Sequence, residues 1–122
     1  MTPSSDEFTH KYGKFQEHYS ESGFWKKLKK HAKKLGEKGL KHALVLYYAL
    51  QEPSVPAWAK AVIVGALGYF IFPLDAIPDF IPGVGLVDDV SVILAAIGVL
   101  ELNIPERARE RADAKMKEWF GG

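Results

Sequence analysis

Four aspartates stand close together in the sequence, among prolines and bulky apolar residues. They are Asp75, Asp79, Asp88 and Asp89, within residues 69–90, which read Y-F-I-F-P-L-D-A-I-P-D-F-I-P-G-V-G-L-V-D-D-V. Carboxylates held near apolar side chains either gain a cation or take up protons, because an isolated buried charge is costly. Mg²⁺ and Ca²⁺ prefer carboxylate oxygens. The four residues therefore form a candidate Mg²⁺ or Ca²⁺ site, or a candidate proton path if the segment lies in a membrane.

The same aspartates also have a purely structural interpretation. Asp88 or Asp89 can cap the helix that follows them and favour its positive end. Asp75 can close an Asx turn, and Asp79 can bind amides that the prolines leave free. The sequence leaves the two interpretations open.

The chain is predicted to form an irregular turn around these aspartates. Each proline removes an amide donor and disfavours helical backbone at the preceding residue. The turn-forming residues are Pro73, Pro78, Pro82, Gly83 and Gly85.

An apolar helix is predicted on each side of the turn, so that the two form a helical hairpin. The helix over 57–72 is apolar on all faces after Lys60, and the helix over 90–102 is equally apolar. A helix without a polar face must be buried in protein or in lipid. The run 58–74 spans about 25 Å at about 1.5 Å per residue, just short of the hydrocarbon core of a bilayer, so its length leaves both environments open.

A lysine-rich amphipathic helix is predicted to begin with Ser22 as its N-cap and to bend near Gly36 and Gly39, because glycine lowers helix propensity. Its apolar stripe consists of Trp25, Leu28, Ala32, Leu35 and Gly39. Basic amphipathic helices are attracted to anionic membranes. The candidates for contact with a lipid surface are Trp25, Lys26, Lys27, Lys29, Lys30, Lys33 and Lys34. The alternative is that the stripe packs on the rest of the domain and the lysines face solvent.

Positive charge is absent from the middle of the chain. All sixteen Lys and Arg residues lie outside 61–106, although the formal net charge is only +1. Both ends of the predicted hairpin are thus basic and its turn is acidic, which is the pattern that the positive-inside rule gives for a hairpin with both termini in the cytoplasm. The competing interpretation is a soluble helical bundle whose two central helices are fully buried.

Amphipathic segments are predicted at the two ends. Residues 1–22 form a polar arm, in which no apolar segment follows a basic start, so we expect no cleavable secretory signal. Asn103 and Glu106 imitate a capping box for a charged helix that runs to Phe120. The apolar stripe of this helix consists of Ala108, Ala112, Met116, Trp119 and Phe120. We expect residues 23–122 to form a single helical domain.

Several classes of function are disfavoured. The chain has no cysteine, which excludes disulfides, thiolate metal sites and a cysteine nucleophile. Gly83-Val84-Gly85 lacks the remaining residues of a phosphate-binding loop, and no serine has a paired histidine and acid. Nucleic acid is disfavoured because no arginines accompany the basic helix. We identify no small-molecule substrate and expect no enzyme, although a metal-dependent enzyme acting on lipid head groups would use the same aspartates.

The acidic turn carries a resemblance to a known family. The string Y-x-x-x-P-x-D-x-I-P-D-x-I-P-x-x-G-x-x-D-D is complete from Tyr69 to Asp89. It is similar to the hallmark of the YkvA-like family of small bacterial proteins, the domain of unknown function numbered 1232, and the resemblance extends from about residue 40 to residue 103. The resemblance implies an apolar, membrane-associated helical domain with no established activity. It does not extend to the lysine-rich helix or the tail.

The sequence thus predicts an all-α protein: a basic amphipathic helix, a central apolar helical hairpin with a Pro/Asp-rich turn, and an amphipathic C-terminal helix. Its predicted place is the bacterial cytoplasmic membrane, with the soluble cytoplasm as the alternative. Its predicted role is structural or in interaction, with anionic membrane lipids as partners and self-association through the apolar helices. The alternative function is a self-assembling component that conducts ions or protons, or binds a divalent cation, through the Asp turn.

Asp75→Asn and Asp88→Asn test the candidate cation site. If the carboxylates hold a divalent ion, millimolar Mg²⁺ or Ca²⁺ raises the melting temperature of the wild-type protein more than that of the variants, because a ligand that binds only the folded state stabilises it. Thermal melts with and without each ion measure this. Melting temperatures that respond to neither the ions nor the substitutions would remove the cation site. Proteoliposome flux that is unaffected by the same substitutions would remove the proton path.

Overall fold

The chain folds as the predicted all-α protein. The computed structural model describes residues 5–71 and 86–120, and this part of the chain contains six α-helices and no strand. The helices are α1 (Ser5–Tyr12), α2 (Glu21–Lys30), α3 (Ala32–Gln51), α4 (Ala57–Ile71), α5 (Leu86–Leu100) and α6 (Glu106–Phe120). Short 3-10 helices follow α1 (Gly13–His18) and α5 (Glu101–Asn103).

Helix α4 lies at the centre of the core. It packs against α1 and the 3-10 helix that follows α1, and also against α2, α3 and α5. Val62, Ile63, Ala66, Leu67 and Phe70 are all at most 1% exposed. The sequence allowed α4 to be buried in protein or in lipid. In the structure, other parts of the protein pack on the apolar faces of α4.

Within residues 5–71 and 86–120, no helix combines the length and the hydropathy that a bilayer-crossing helix requires.

The lysine-rich region is two helices instead of one. Helix α2 is capped by Ser20, whose Oγ accepts a hydrogen bond from the Gly23 amide at 3.0 Å. The predicted cap at Ser22 was wrong because the helix already begins at Glu21, which makes Ser22 its second residue. The chain breaks at His31, between α2 and α3, and kinks again at Gly36, where φ is 72° and ψ is 173°. The bend predicted from the glycines is thus confirmed at Gly36.

The second half of α3 is the most deeply buried part of the lysine-rich region. Residues 43–49 are all buried, and the helix ends at Gln51. Helix α6 packs along α3 and turns Ala108 and Ala112 inward, both 0% exposed. Small side chains on the inward face let two helices approach closely, so the predicted stripe of α6 is used for packing.

A charged cluster joins the end of α3 to α6. Glu52 is 8% exposed, and its Oε2 lies 3.4 Å from Arg107 Nε and 3.5 Å from Arg111 Nη1. The Arg111 guanidinium also lies over the Tyr48 ring, 4.4 Å from its centroid. Two arginines therefore compensate the most buried carboxylate among the described residues.

The N-terminal arm is part of the same core. Phe8 is 1% exposed, and α1 with its following 3-10 helix packs along α4. Gln16 Nε2 donates a hydrogen bond to the Ala61 carbonyl at 3.1 Å. The amphipathic segment predicted at this end forms α1, and the arm covers α4.

Gly36→Ala tests the kink. The Gly36 conformation lies in a region that is essentially restricted to glycine, and a side chain there costs about 1–3 kcal/mol. A Cβ at this position meets no atom within 4 Å, so the loss of unfolding free energy comes from the backbone alone. Chemical denaturation measures it. The control is Glu37→Ala at the exposed neighbouring residue, where alanine keeps or slightly raises helix propensity; equal stability of both variants and wild type would contradict the kink.

Candidate functional site

The acidic turn lies mostly outside the described residues. This applies to Asp75 and Asp79 and to the predicted turn formers Pro73, Pro78, Pro82, Gly83 and Gly85. Asp88 and Asp89 are the third and fourth residues of α5, so their backbone is described and their side chains are not. First-turn positions place acidic residues at the positive end of the helix dipole. Within the part of the chain that is described, no group of His, Asp and Glu side chains could hold a metal ion. The cation and proton sites at the turn therefore stay predictions.

The lysines of α2 and early α3 form an exposed cationic surface. Lys26, Lys29, Lys30 and Lys33 are exposed, and we call these four residues the lysine face. Among the described acids, none forms an ion pair with the lysine face. Of the other predicted lipid-surface lysines, Lys27 is partly buried, and the side chain of Lys34 lies outside the description. The predicted cationic cluster is thus present as a solvent-facing surface.

Two lysines elsewhere are paired with acids. Lys41 Nζ lies 2.7 Å from Asp113 Oδ1, and Lys115 Nζ lies 3.0 Å from Glu118 Oε2. Each of those two charges is compensated by a neighbour, whereas the lysine face has no such partner among the described acids.

The inner side of α2 fixes the direction of the lysine face. Phe24 and Leu28 are 0% exposed, and the Phe24 ring stacks on Tyr47 with 4.8 Å between centroids. The Trp25 ring meets Tyr47 and Trp119 edge-on, at 5.0 Å and 5.9 Å. Trp25 is therefore partly buried against protein and supports the lysine face from within. Its predicted contact with lipid stays a prediction. The apolar stripe of α2 packs on the domain, as in the alternative interpretation of the sequence.

The hydroxyl of Tyr47 forms hydrogen bonds with two residues in the first turns of α2. Tyr47 donates its hydroxyl to Glu21 Oε1 at 2.5 Å and accepts from Trp25 Nε1 at 3.4 Å. Burial, followed by the hydrogen bond to Glu21, raises the pKa of Tyr47. Burial and the nearby Tyr47 and Glu21 raise the pKa of Tyr19 to about 12. Both tyrosines are therefore favoured in their neutral form, and the neutral Tyr47 hydroxyl fixes the start of α2 through its hydrogen bonds.

Positive charge does not collect at one end of α4. Lys27 Nζ lies 5.3 Å from the centroid of Phe70, the penultimate residue of α4. At the other end, Arg107 and Arg111 pair with Glu52, shortly before α4 begins. The sequence predicted both basic ends on the side opposite the acidic turn, whereas Lys27 of α2 lies beside the last turn of α4. The membrane orientation inferred from the positive-inside rule stays a prediction.

Local sequence patterns identify the lysines of the lysine face. They do not identify the contacts that orient α2 and so turn these lysines towards solvent. Tyr47, Glu21 and Trp119 are needed to orient α2, and they lie on three different helices or their ends. For Tyr47 and Trp119 the sequence shows only that apolar and aromatic side chains recur at helical spacing. This indicates that they are buried but does not identify the residues that they contact.

Raising the pH through 10–12 tests the neutral-tyrosine contact. Because the folded-state pKa of Tyr19 is raised above its ordinary value of 10 to about 12, its contribution to stability is complete below pH 10 and is lost as the pH rises towards 12. Urea unfolding at pH 9 to 12 measures this, and Tyr19→Phe flattens part of the decline because phenylalanine has no proton to lose. An identical decline for wild type and variant would contradict the assignment.

Comparison with known proteins gives one match. No curated protein and no solved structure is detectably similar to this chain. The family model described as "Protein of unknown function (DUF1232)" matches residues 59–95. The matched segment covers most of α4, the acidic turn and the first ten residues of α5, a shorter stretch than the sequence resemblance suggested. The match of residues 59–95 to the DUF1232 family model confirms the resemblance recognised on the Tyr69–Asp89 motif.

Proposed function

We propose that this protein is a small membrane-associated helical protein with a structural or interaction role, and that it binds the surface of anionic membranes through the lysine face of α2 and early α3. The observation that carries the proposal is the exposure of Lys26, Lys29, Lys30 and Lys33 with no described acid paired to them. The binding is peripheral, since the fold packs α4 into its own core.

The size of the charge term supports surface binding. A lysine close to an anionic leaflet contributes about 1 kcal/mol. Four lysines on one surface therefore supply on the order of 4 kcal/mol, which falls as salt screens the attraction. Such an attachment is reversible, and it suits a protein that meets partners at the membrane surface.

Anionic lipid is favoured over nucleic acid by the type and extent of the charge. The lysine face contains no arginine, and arginine is the residue that pairs bidentately with phosphates and bases. Two of the C-terminal arginines, Arg107 and Arg111, already pair with Glu52. A formal net charge of +1 also gives no long-range field that would draw the whole molecule to a polyanion.

Sedimentation with lipid vesicles tests the proposal. The wild-type protein is expected to pellet with vesicles of phosphatidylglycerol and phosphatidylcholine at low salt, and to stay in the supernatant with pure phosphatidylcholine. The triple substitution of Lys26, Lys30 and Lys33 by Gln should weaken binding on the order of a hundredfold, because three contributions of about 1 kcal/mol are lost.

The matched control removes the same charge elsewhere. Substituting Lys60, Arg109 and Lys117 by Gln changes the net charge equally and leaves the lysine face intact, so it should keep vesicle binding. Equal loss in both triple variants, or equal binding to neutral vesicles, would overturn the proposal. Tighter binding of wild type to duplex DNA than to anionic vesicles would replace lipid with nucleic acid as the partner.

A further inference from the structure

An apolar groove opens where α2, α3 and α6 meet. Its volume is about 300 Å³, and it is lined by Leu28, Lys29, Ala32, Leu40, Trp119 and Phe120. Lys29 is the one charged residue in this lining, and it belongs to the lysine face. The groove therefore has an apolar interior and a cation that it shares with the proposed membrane-binding surface.

The walls of the groove are held by contacts inside the protein. Leu28 and Leu40 are 0% and 2% exposed and form its floor. Trp119 is held by its edge-on contact with Trp25, at 5.9 Å between centroids. Phe120 is 51% exposed at the edge. A cleft whose walls are fixed in the absence of a ligand loses little ordering entropy on binding.

The size and lining of the groove define its ligand. An apolar cavity of about 150 Å³ in another protein is large enough for benzene, and a volume of about 30 Å³ corresponds to one water-sized group. A groove of about 300 Å³ thus has room for on the order of ten such groups. Its apolar lining selects a hydrocarbon chain, and Lys29 with the rest of the lysine face, which pairs with no described acid, selects a negative charge at the end of that chain.

We infer that the groove takes up one acyl chain of an anionic membrane lipid, with Lys29 pairing with the negative charge of the head group. The inference rests on the proposed function, because the lysine face brings the groove to the lipid. Phe120 then lies at the membrane side of the groove, where an exposed aromatic ring contacts the acyl chain instead of water. Burial of the acyl chain in the groove strengthens the attachment beyond the reversible charge attraction. This added strength depends on the length of the acyl chain.

Calorimetric titration of the full-length protein with sodium laurate, kept below its micelle concentration, tests the groove directly. We expect saturable binding of one laurate per chain. Octanoate, which has four fewer methylenes, should bind on the order of a hundredfold more weakly, since each buried methylene contributes about fourfold. Inorganic phosphate should not compete at equal concentration.

Two variants locate the site. Ala32→Phe puts a ring into the groove, and Phe120→Ala removes its exposed wall; each should weaken laurate binding tenfold or more. Ala114→Phe places the same ring at an exposed position of α6 outside the groove lining, and it should bind laurate like wild type. Because Phe120 is half exposed, Phe120→Ala keeps the test decisive even if Ala32→Phe does not fold.

The outcomes separate this inference from the proposed function. Vesicle binding without laurate binding overturns the groove and leaves the lysine face as the membrane contact. Laurate binding without vesicle binding overturns the proposed membrane function. It also excludes a membrane as the source of the acyl chain that the groove binds. Laurate affinity that is unchanged in Ala32→Phe and Phe120→Ala places the chain elsewhere and overturns the inference. A wild-type dimer in sedimentation that Ala32→Phe converts to a monomer makes a second copy of the protein the occupant instead.

Discussion

The constraint on which the rest of this fold depends is the burial of α4, a helix with hardly a polar side chain after Lys60. A helix of this kind needs partners on all its sides. The chain provides them from before and after it in the sequence: α1 and its 3-10 helix, α2, α3 and α5. Helix α2 and the first part of α3 carry exposed lysines on their outer sides, so packing their apolar sides towards the core turns these charges outward. The exposure of the lysine face follows from this packing, because α2 must place Phe24 and Leu28 inward.

Local patterns predicted the helices well, because helix ends depend on nearby residues. The helix expected over 57–72 is Ala57–Ile71, and the tail helix runs to Phe120 as expected. Ser20 in place of Ser22 as the cap was missed because either serine could accept an amide, and the sequence alone does not fix which backbone N–H is free. The role of the N-terminal arm was also missed. A single buried side chain such as Phe8 is enough to attach a mostly polar segment to the core. The average polarity of the segment does not indicate this contact.

The candidate surface and the groove differ in how far the sequence reveals them. The lysines were identified individually because their spacing with the apolar stripe is visible within twenty residues. The groove was not identified, since Leu28, Leu40 and Trp119 come from three helices and meet only when α6 packs on α3. Its shape also depends on Gly36, whose positive φ redirects α3 between Ala32 and Leu40. The glycine predicted a bend, but the direction of a bend is a property of the folded chain.

The charged residues of α2 and α6 have opposite roles, and this difference links fold to function. Arg107 and Arg111 lie against Glu52, where removing one partner would leave a nearly buried charge uncompensated. The lysine face has no such partner among the described acids, and α2 is held instead by Phe24, Trp25 and the hydroxyl of Tyr47. Charges that do not hold the fold together can be replaced without unfolding it. Binding and stability are therefore separable on α2, where the surface that would meet a membrane and the contacts that position it occupy opposite sides of one helix.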